Sequence, residues 1–154
     1  MKQLLITIAA LVLVGCGPSV PDISIHEAAG GGNIAAVKQH LAAGTDINLK
    51  GQSVEQTPLH AAAANERKEV TELLIAKGAE VNAKALRGDT PLHNAVGDIE
   101  VAEILIAKGA AVNAMDGSGK TPLDWAIRSN KKSTANFLRK HGAKTAEELK
   151  AEDK

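Results

Sequence analysis

The sequence predicts an all-α solenoid of about four stacked helix-turn-helix units carrying hairpin-like fingers. Three observations predict it. Thr57-Pro58-Leu59-His60 returns as Thr90-Pro91-Leu92-His93 and again as Thr121-Pro122-Leu123-Asp124, 33 and then 31 residues further on. A second phrase, Ala76-Lys77-Gly78-Ala79-Glu80-Val81-Asn82, returns as Ala107-Lys108-Gly109-Ala110-Ala111-Val112-Asn113. Between the two phrases, Val70, Leu73 and Leu74 follow the three- and four-residue spacing of one helix face.

Residues 1–15 read as a leader. Met1-Lys2-Gln3 carries one positive charge and precedes the run Leu4 to Val14, 11 residues interrupted only by Thr7. That is the shape of a secretory n-region and h-region. A membrane-spanning helix needs about 20 apolar residues, so the run is too short to cross a bilayer. The run ends in Leu13-Val14-Gly15-Cys16, which resembles the bacterial lipobox, and the resemblance implies lipidation of Cys16 followed by cleavage before it. An ordinary signal peptide with a chance Cys is the plainer alternative. Acyl chains would leave the protein anchored to a membrane rather than spanning it. Residues 16–22, with Pro18 and Pro21, form a short linker that holds the folded part close to the lipid. Gly17 is not Asp, and by resemblance to enteric lipoproteins this implies the outer membrane, facing the periplasm.

Residues 23–144 hold the repeats, at about 23–56, 57–89, 90–120 and 121–144, the first degenerate. Thr57 caps a first helix and Pro58 occupies its first turn, where a missing N–H does no harm. Gly78 ends the second helix with a left-handed residue, and the chain then turns back as a finger. One helix pair cannot bury its own stripe, so the units must stack and the end units need polar outer faces. Gln39 and His40, at the places of Leu73 and Leu74, and Arg139, at the place of Ile75, are expected to supply them. Residues 145–154 form a charged tail, expected as a frayed helix. The T-P-L-H opening and G-A-x-V-N close resemble the ankyrin repeat family. That resemblance implies a monomeric, non-catalytic protein-interaction module that uses its finger tips and the concave side of its first helices.

Two departures from the pattern stand out. His26 to Gly44, His60 to Gly78 and Asp124 to Gly142 each span 18 residues, but His93 to Gly109 spans 16. Repeat three has therefore lost two residues near Val96-Gly97, either a notch in the binding surface or a tolerated deletion in a turn. The first finger is one residue longer than the next two.

Composition removes several function classes. Lys+Arg 18 balances Asp+Glu 18, and the leader removes one Lys and no acid, so no strong field draws nucleic acid. Aromatic residues make up 1%, too few for base-stacking platforms. One Cys forms neither an internal disulfide nor a zinc pair. His26, His60 and His93 recur once per repeat; helices packed about 8–10 Å apart keep them from converging on one metal. They are expected to bond neighbouring backbone, as the resemblance implies. His40 and His141 read as surface residues. Gly30-Gly31-Gly32 lacks the Lys and Ser/Thr of a phosphate loop. Glu69/Glu72 and Glu100/Glu103 read as solvated helix surface. No catalytic motif and no cofactor site are recognised.

By the same resemblance, the protein-binding positions are Lys50, Gln52 and Val54, then Lys84, Leu86, Arg87 and Asp89, then Met115, Ser118 and Lys120. Val54, Leu86 and Met115 would form an apolar ridge among charges, the make-up of a small hot spot, unless each tip packs on the next finger. Trp125 is either an anchor or packed on its neighbour. Arg128, Lys131, Lys132, Arg139, Lys140 and Lys144 occur with no acid between Trp125 and Ala146, as a patch for anionic lipid or an acidic partner, or as a solvated end. The expected function is binding of an envelope or periplasmic protein. An inhibitor or immunity factor against a toxin is the alternative, with a small-molecule binder or enzyme behind it.

Overall fold

The computed structural model describes residues 20–152. The leader, Cys16 and most of the linker lie outside the described residues. Four helix pairs follow in order: α1 (Ile25–Gly31) with α2 (Ile34–Ala42), α3 (Pro58–Ala64) with α4 (Lys68–Ala76), α5 (Pro91–Asn94) with α6 (Ile99–Ala107), and α7 (Pro122–Arg128) with α8 (Lys132–Lys140). A 3₁₀ turn over Ala95–Gly97 continues α5, and α9 (Ala146–Glu152) follows the last pair. The first helices α1, α3, α5 and α7 pack in series, and so do α2, α4, α6 and α8. Among the described residues no strand forms, and the fingers are loops. No described helix is long and apolar enough to cross a membrane.

The apolar stripes fuse into one core running from Ala28 to Ala143. Leu59, Leu74, Leu92, Leu105, Leu123 and Leu138 are its buried centre, two per repeat after the first. Small residues such as Ala62, Ala63, Ala95 and Ala126 let neighbouring first helices approach closely. Burial of this kind depends on the neighbouring repeat, since each stripe is covered by the next unit.

Buried polar side chains link the repeats. His60 Nδ1 accepts the Thr57 N–H at 3.2 Å, so the ring proton sits on Nε2, which donates to the Asp89 carbonyl of the following finger at 3.2 Å. His93 repeats this with Thr90 N (3.1 Å) and the Lys120 carbonyl (3.1 Å). In repeat four Asp124 takes over. Its Oδ2 accepts the Thr121 N–H at 2.9 Å and the Ala146 N–H at 2.9 Å. A carboxylate suits this position because the next element presents a donor rather than a carbonyl. Asparagines make a second set of links: Asn48, Asn82 and Asn113 accept from the N–H of Glu80, Ala111 and Lys144 at 2.9, 2.8 and 2.7 Å.

The structure corrects three expectations at the ends of the stack. His26 is not in register with His60: the third residue of α1 is Glu27, which closes a capping box with Ser24, and His26 stands one place earlier. Its Nε2 still reaches the finger, 2.8 Å from the Leu49 carbonyl and 2.9 Å from that of Gln56. The turn between α1 and α2 is one residue shorter than its successor, so counting back from Gly44 shifts the register. His40 is not a surface residue. It fills the place of Leu74, is 4% exposed, and its Nε2 donates to the Ile23 carbonyl at 2.7 Å, tying the entering chain over α2. Gln39 is exposed, as is His141. The charged tail is docked through residue 152 rather than frayed: Thr145 N bonds Glu148 Oε2 (2.7 Å), and Arg139 and Lys144 pair with Glu148 and Glu152 at 3.1 and 2.6 Å.

Repeat three absorbs its deletion in the turn. Three residues (65–67) separate α3 from α4, but only Asp98 separates the 3₁₀ turn from α6. Glu66, held at φ 60, lies over the gap, where a Cβ on Gly97 would stand 2.5 Å from its Oε1.

Burial pushes the His60 and His93 imidazoles below the ordinary histidine value, against the opposing pull of their carbonyl partners and nearby carboxylates. Between the lowered folded value and about 6.5 the unfolded chain binds more protons, so stability must fall as pH drops through that window. Thermal melts between about pH 7.5 and pH 5 are expected to show this loss. A His60→Gln, His93→Gln variant is expected to be less stable at the upper pH and flatter across the range. An unchanged slope in the variant would contradict the assignment.

Candidate protein-binding surface

The finger tips form one continuous ridge because their backbones bond to one another. Leu86 N donates to the Val54 carbonyl at 2.9 Å, joining fingers one and two. Gly117 N donates to the Arg87 carbonyl at 2.7 Å, joining fingers two and three. The approach is close enough to require glycine. A Cβ on Gly88, whose φ is +75, would lie 2.8 Å from Gly117 N, and one on Gly117 would lie 2.9 Å from the Arg87 carbonyl oxygen.

On this ridge the apolar side chains face water. Val54 is 48% exposed, Leu86 60% and Met115 36%. The two readings of the tips therefore both hold in part: the backbones pack on their neighbours while the side chains stay free. Val54 and Leu86 are one hydrogen bond apart, whereas Met115 lies beside Lys84, whose Nζ reaches the Met115 carbonyl at 3.1 Å. Gln52, Arg87, Ser118 and Lys120 are exposed around them. Lys50 is exposed and pairs with Glu55 at 3.1 Å within the first finger.

Asp89 does not belong to the surface. It is 3% exposed, at the base of finger two, where its carbonyl accepts from Ala85 N at 3.0 Å and from His60. The signal was its place immediately before the Thr90 cap, where the backbone must meet the histidine of the preceding repeat. Leu49, 44% exposed on finger one, is a further exposed apolar side chain that the sequence reading does not include. Its carbonyl is fixed by His26, which leaves the side chain outside.

Trp125 is a structural linker. It is half-buried, its ring meets His93 edge-on at 5.3 Å, and its Nε1 donates to Asp116 Oδ2 at 2.9 Å. Burial alone would raise the Asp116 carboxyl, but N–H donors from Lys120, Trp125 and Ser118 bring it below the ordinary value. The third finger is thus held on α7 by an ionised acid. Asn94, at the corresponding place in repeat three, has a buried Nδ2 without a hydrogen-bond partner.

Among the described residues no group of three or more His, Cys, Asp or Glu side chains lies close enough to hold a metal ion. Glu69, Glu72, Glu100 and Glu103 are all exposed, and Glu100 pairs with Lys68 at 2.9 Å.

A family model described as ankyrin repeats in three copies matches residues 25–116, and a second ankyrin model matches residues 97–139. The chain belongs to the ankyrin-repeat family. Ankyrin repeats serve in general as protein-interaction surfaces and not as enzymes. A 60-residue stretch, 39% of this chain, is 37% identical to a fowlpox virus protein named as an ankyrin repeat protein. The stretch spans 12% of that viral protein's length, so the likeness concerns the repeat and not the whole protein.

If the backbone contact between tips sets the ridge, Gly117→Ala should cost about 1–3 kcal/mol in thermal or urea unfolding. It should also speed amide hydrogen exchange at Leu86 and Gly117. A variant as stable and as protected as the wild type would show that the fingers are not in register.

Proposed function

We propose that this ankyrin chain is a lipid-anchored, non-catalytic docking module of a bacterial cell envelope, binding another envelope or periplasmic protein through its finger ridge. The observation that carries the binding site is the exposure of Val54, Leu86 and Met115 on fingers whose backbones are already fixed to one another. A preformed apolar ridge loses little conformational freedom on binding, and its rim of Lys84, Arg87 and Lys120 supplies polar contacts. The anchor rests on the sequence. A charged start, a short apolar run and Leu13-Val14-Gly15-Cys16 together support lipidation of Cys16, and a two-proline linker keeps the ridge near the membrane. Outer-membrane sorting, with the repeats facing the periplasm, rests on Gly17.

Surface and core separate by mutation. Leu86→Asp with Met115→Asp is expected to abolish retention of envelope proteins by the immobilised chain and leave thermal unfolding nearly unchanged. Leu74→Ala empties a fully buried site and is expected to cost about 2–5 kcal/mol while sparing the ridge. Equal effects of the two variants on both readouts would refute the assignment.

The anchor is tested by fractionation. Cys16→Ser is expected to move the protein out of the membrane fraction or to leave its leader uncleaved. Unchanged membrane fractionation and processing would refute the lipoprotein reading.

A further inference from the structure

The far end of the stack carries an apolar site that internal repeats cover and this one does not. Six residues after the capping threonine, Ala63 in repeat two is 0% exposed and Val96 in repeat three is 9% exposed, each packed within the core. The same place in repeat four is Ile127, larger than Ala63 and 51% exposed. A solvated end would carry a polar residue there, as it does at Arg139 in place of Ile75.

α9 closes only part of this end. It begins as a first helix does, with Thr145 and Glu148 as its capping pair and Ala146 N held by Asp124, but it follows Gly142 directly without a finger. Its contacts are to Asp124, near the start of α7, and to Arg139 and Lys144. Ile127, near the other end of α7, stays open in a shallow groove with Ala126 and Ala135. Lys131, Lys132 and Arg139 line the same groove, and no acid does.

We propose that this groove is a second docking site, distinct from the finger ridge, and that its occupant is an acidic amphipathic helix of a partner protein. Charge complementarity selects an acidic ligand, since every ionisable group lining the groove is a cation. The repeat pattern selects a helix, because the element that covers this position elsewhere in the stack is the first helix of the next unit. The chain itself supplies a neighbouring example: α9, with Glu147, Glu148 and Glu152, is an acidic helix held by cations of this end. Like charge disfavours pairing of this end with its own copy.

The test uses the full chain, isotope-labelled, and as probe a synthetic peptide of two tandem copies of the Thr145–Glu152 sequence. Saturable amide shifts at Ala126, Ile127 and Ala135 are expected. Binding should weaken at least about tenfold in Ile127→Asp and in Lys131→Glu with Lys132→Glu, and be unaffected by Leu86→Asp. A matched peptide with its Glu residues changed to Lys should not bind. Shifts confined to α9 or the fingers, or equal binding of both peptides, would overturn the proposal. So would self-association of the chain that Ile127→Asp dissolves, or binding to phosphatidylglycerol vesicles, but not to the peptide, that the Lys131→Glu, Lys132→Glu variant loses.

Discussion

In repeats two to four the third residue of the first helix serves two elements at once. In repeats two and three a neutral imidazole takes the N–H that opens its own helix and gives its remaining proton to the carbonyl at the base of the next finger. One side chain thereby sets where the helix starts and where the neighbouring finger leaves. Both bonds are buried or nearly so, and leaving either partner without the other would cost on the order of 1–3 kcal/mol. The repeat period, the stacking of first helices and the line of finger tips all follow from that link. The asparagine bridges at the finger bases act in the same sense, from the segment after the second helix of one unit to the same segment of the next.

The changes at the ends show the same constraint with other chemistry. His26 reaches its finger from one place earlier because Glu27 already closes the cap with Ser24. Asp124 replaces the imidazole where the following element offers an N–H, and α9 docks on it. His40 is the least expected substitution, an imidazole in a leucine's place, and it is tolerated because the entering chain supplies a carbonyl within 2.7 Å. Rigid inter-repeat links also explain how exposed apolar tips persist. Val54 and Leu86 cannot collapse inward while their backbones are bonded to each other.

Much of the fold was legible because the phrases that repeat are the linking residues themselves. Thr, Pro and His at one end and Gly and Asn at the other mark the contacts between units, so finding them locates the units. The ridge was legible for a related reason: an apolar residue at a finger tip has no core within reach. Illegible features depended on a partner in another element. Asp89 looks like a tip residue until His60 is placed against its carbonyl. The shift of His26 follows from a turn one residue shorter, which counting from Gly44 hides. The docking of α9 turns on one backbone N–H at Ala146, and the exposure of Ile127 depends on which part of α7 that helix leaves open.

The central functional claim is that the stitched finger ridge is a docking face for one envelope protein. Crosslinking in the cell from a photoreactive residue at position 86, with mass spectrometry of the adducts, asks this directly. The account predicts one dominant protein adduct that disappears when Met115 is changed to Asp and survives when Ile127 is changed to Asp. Adducts spread over many proteins, or one that survives the Met115 change, would contradict it.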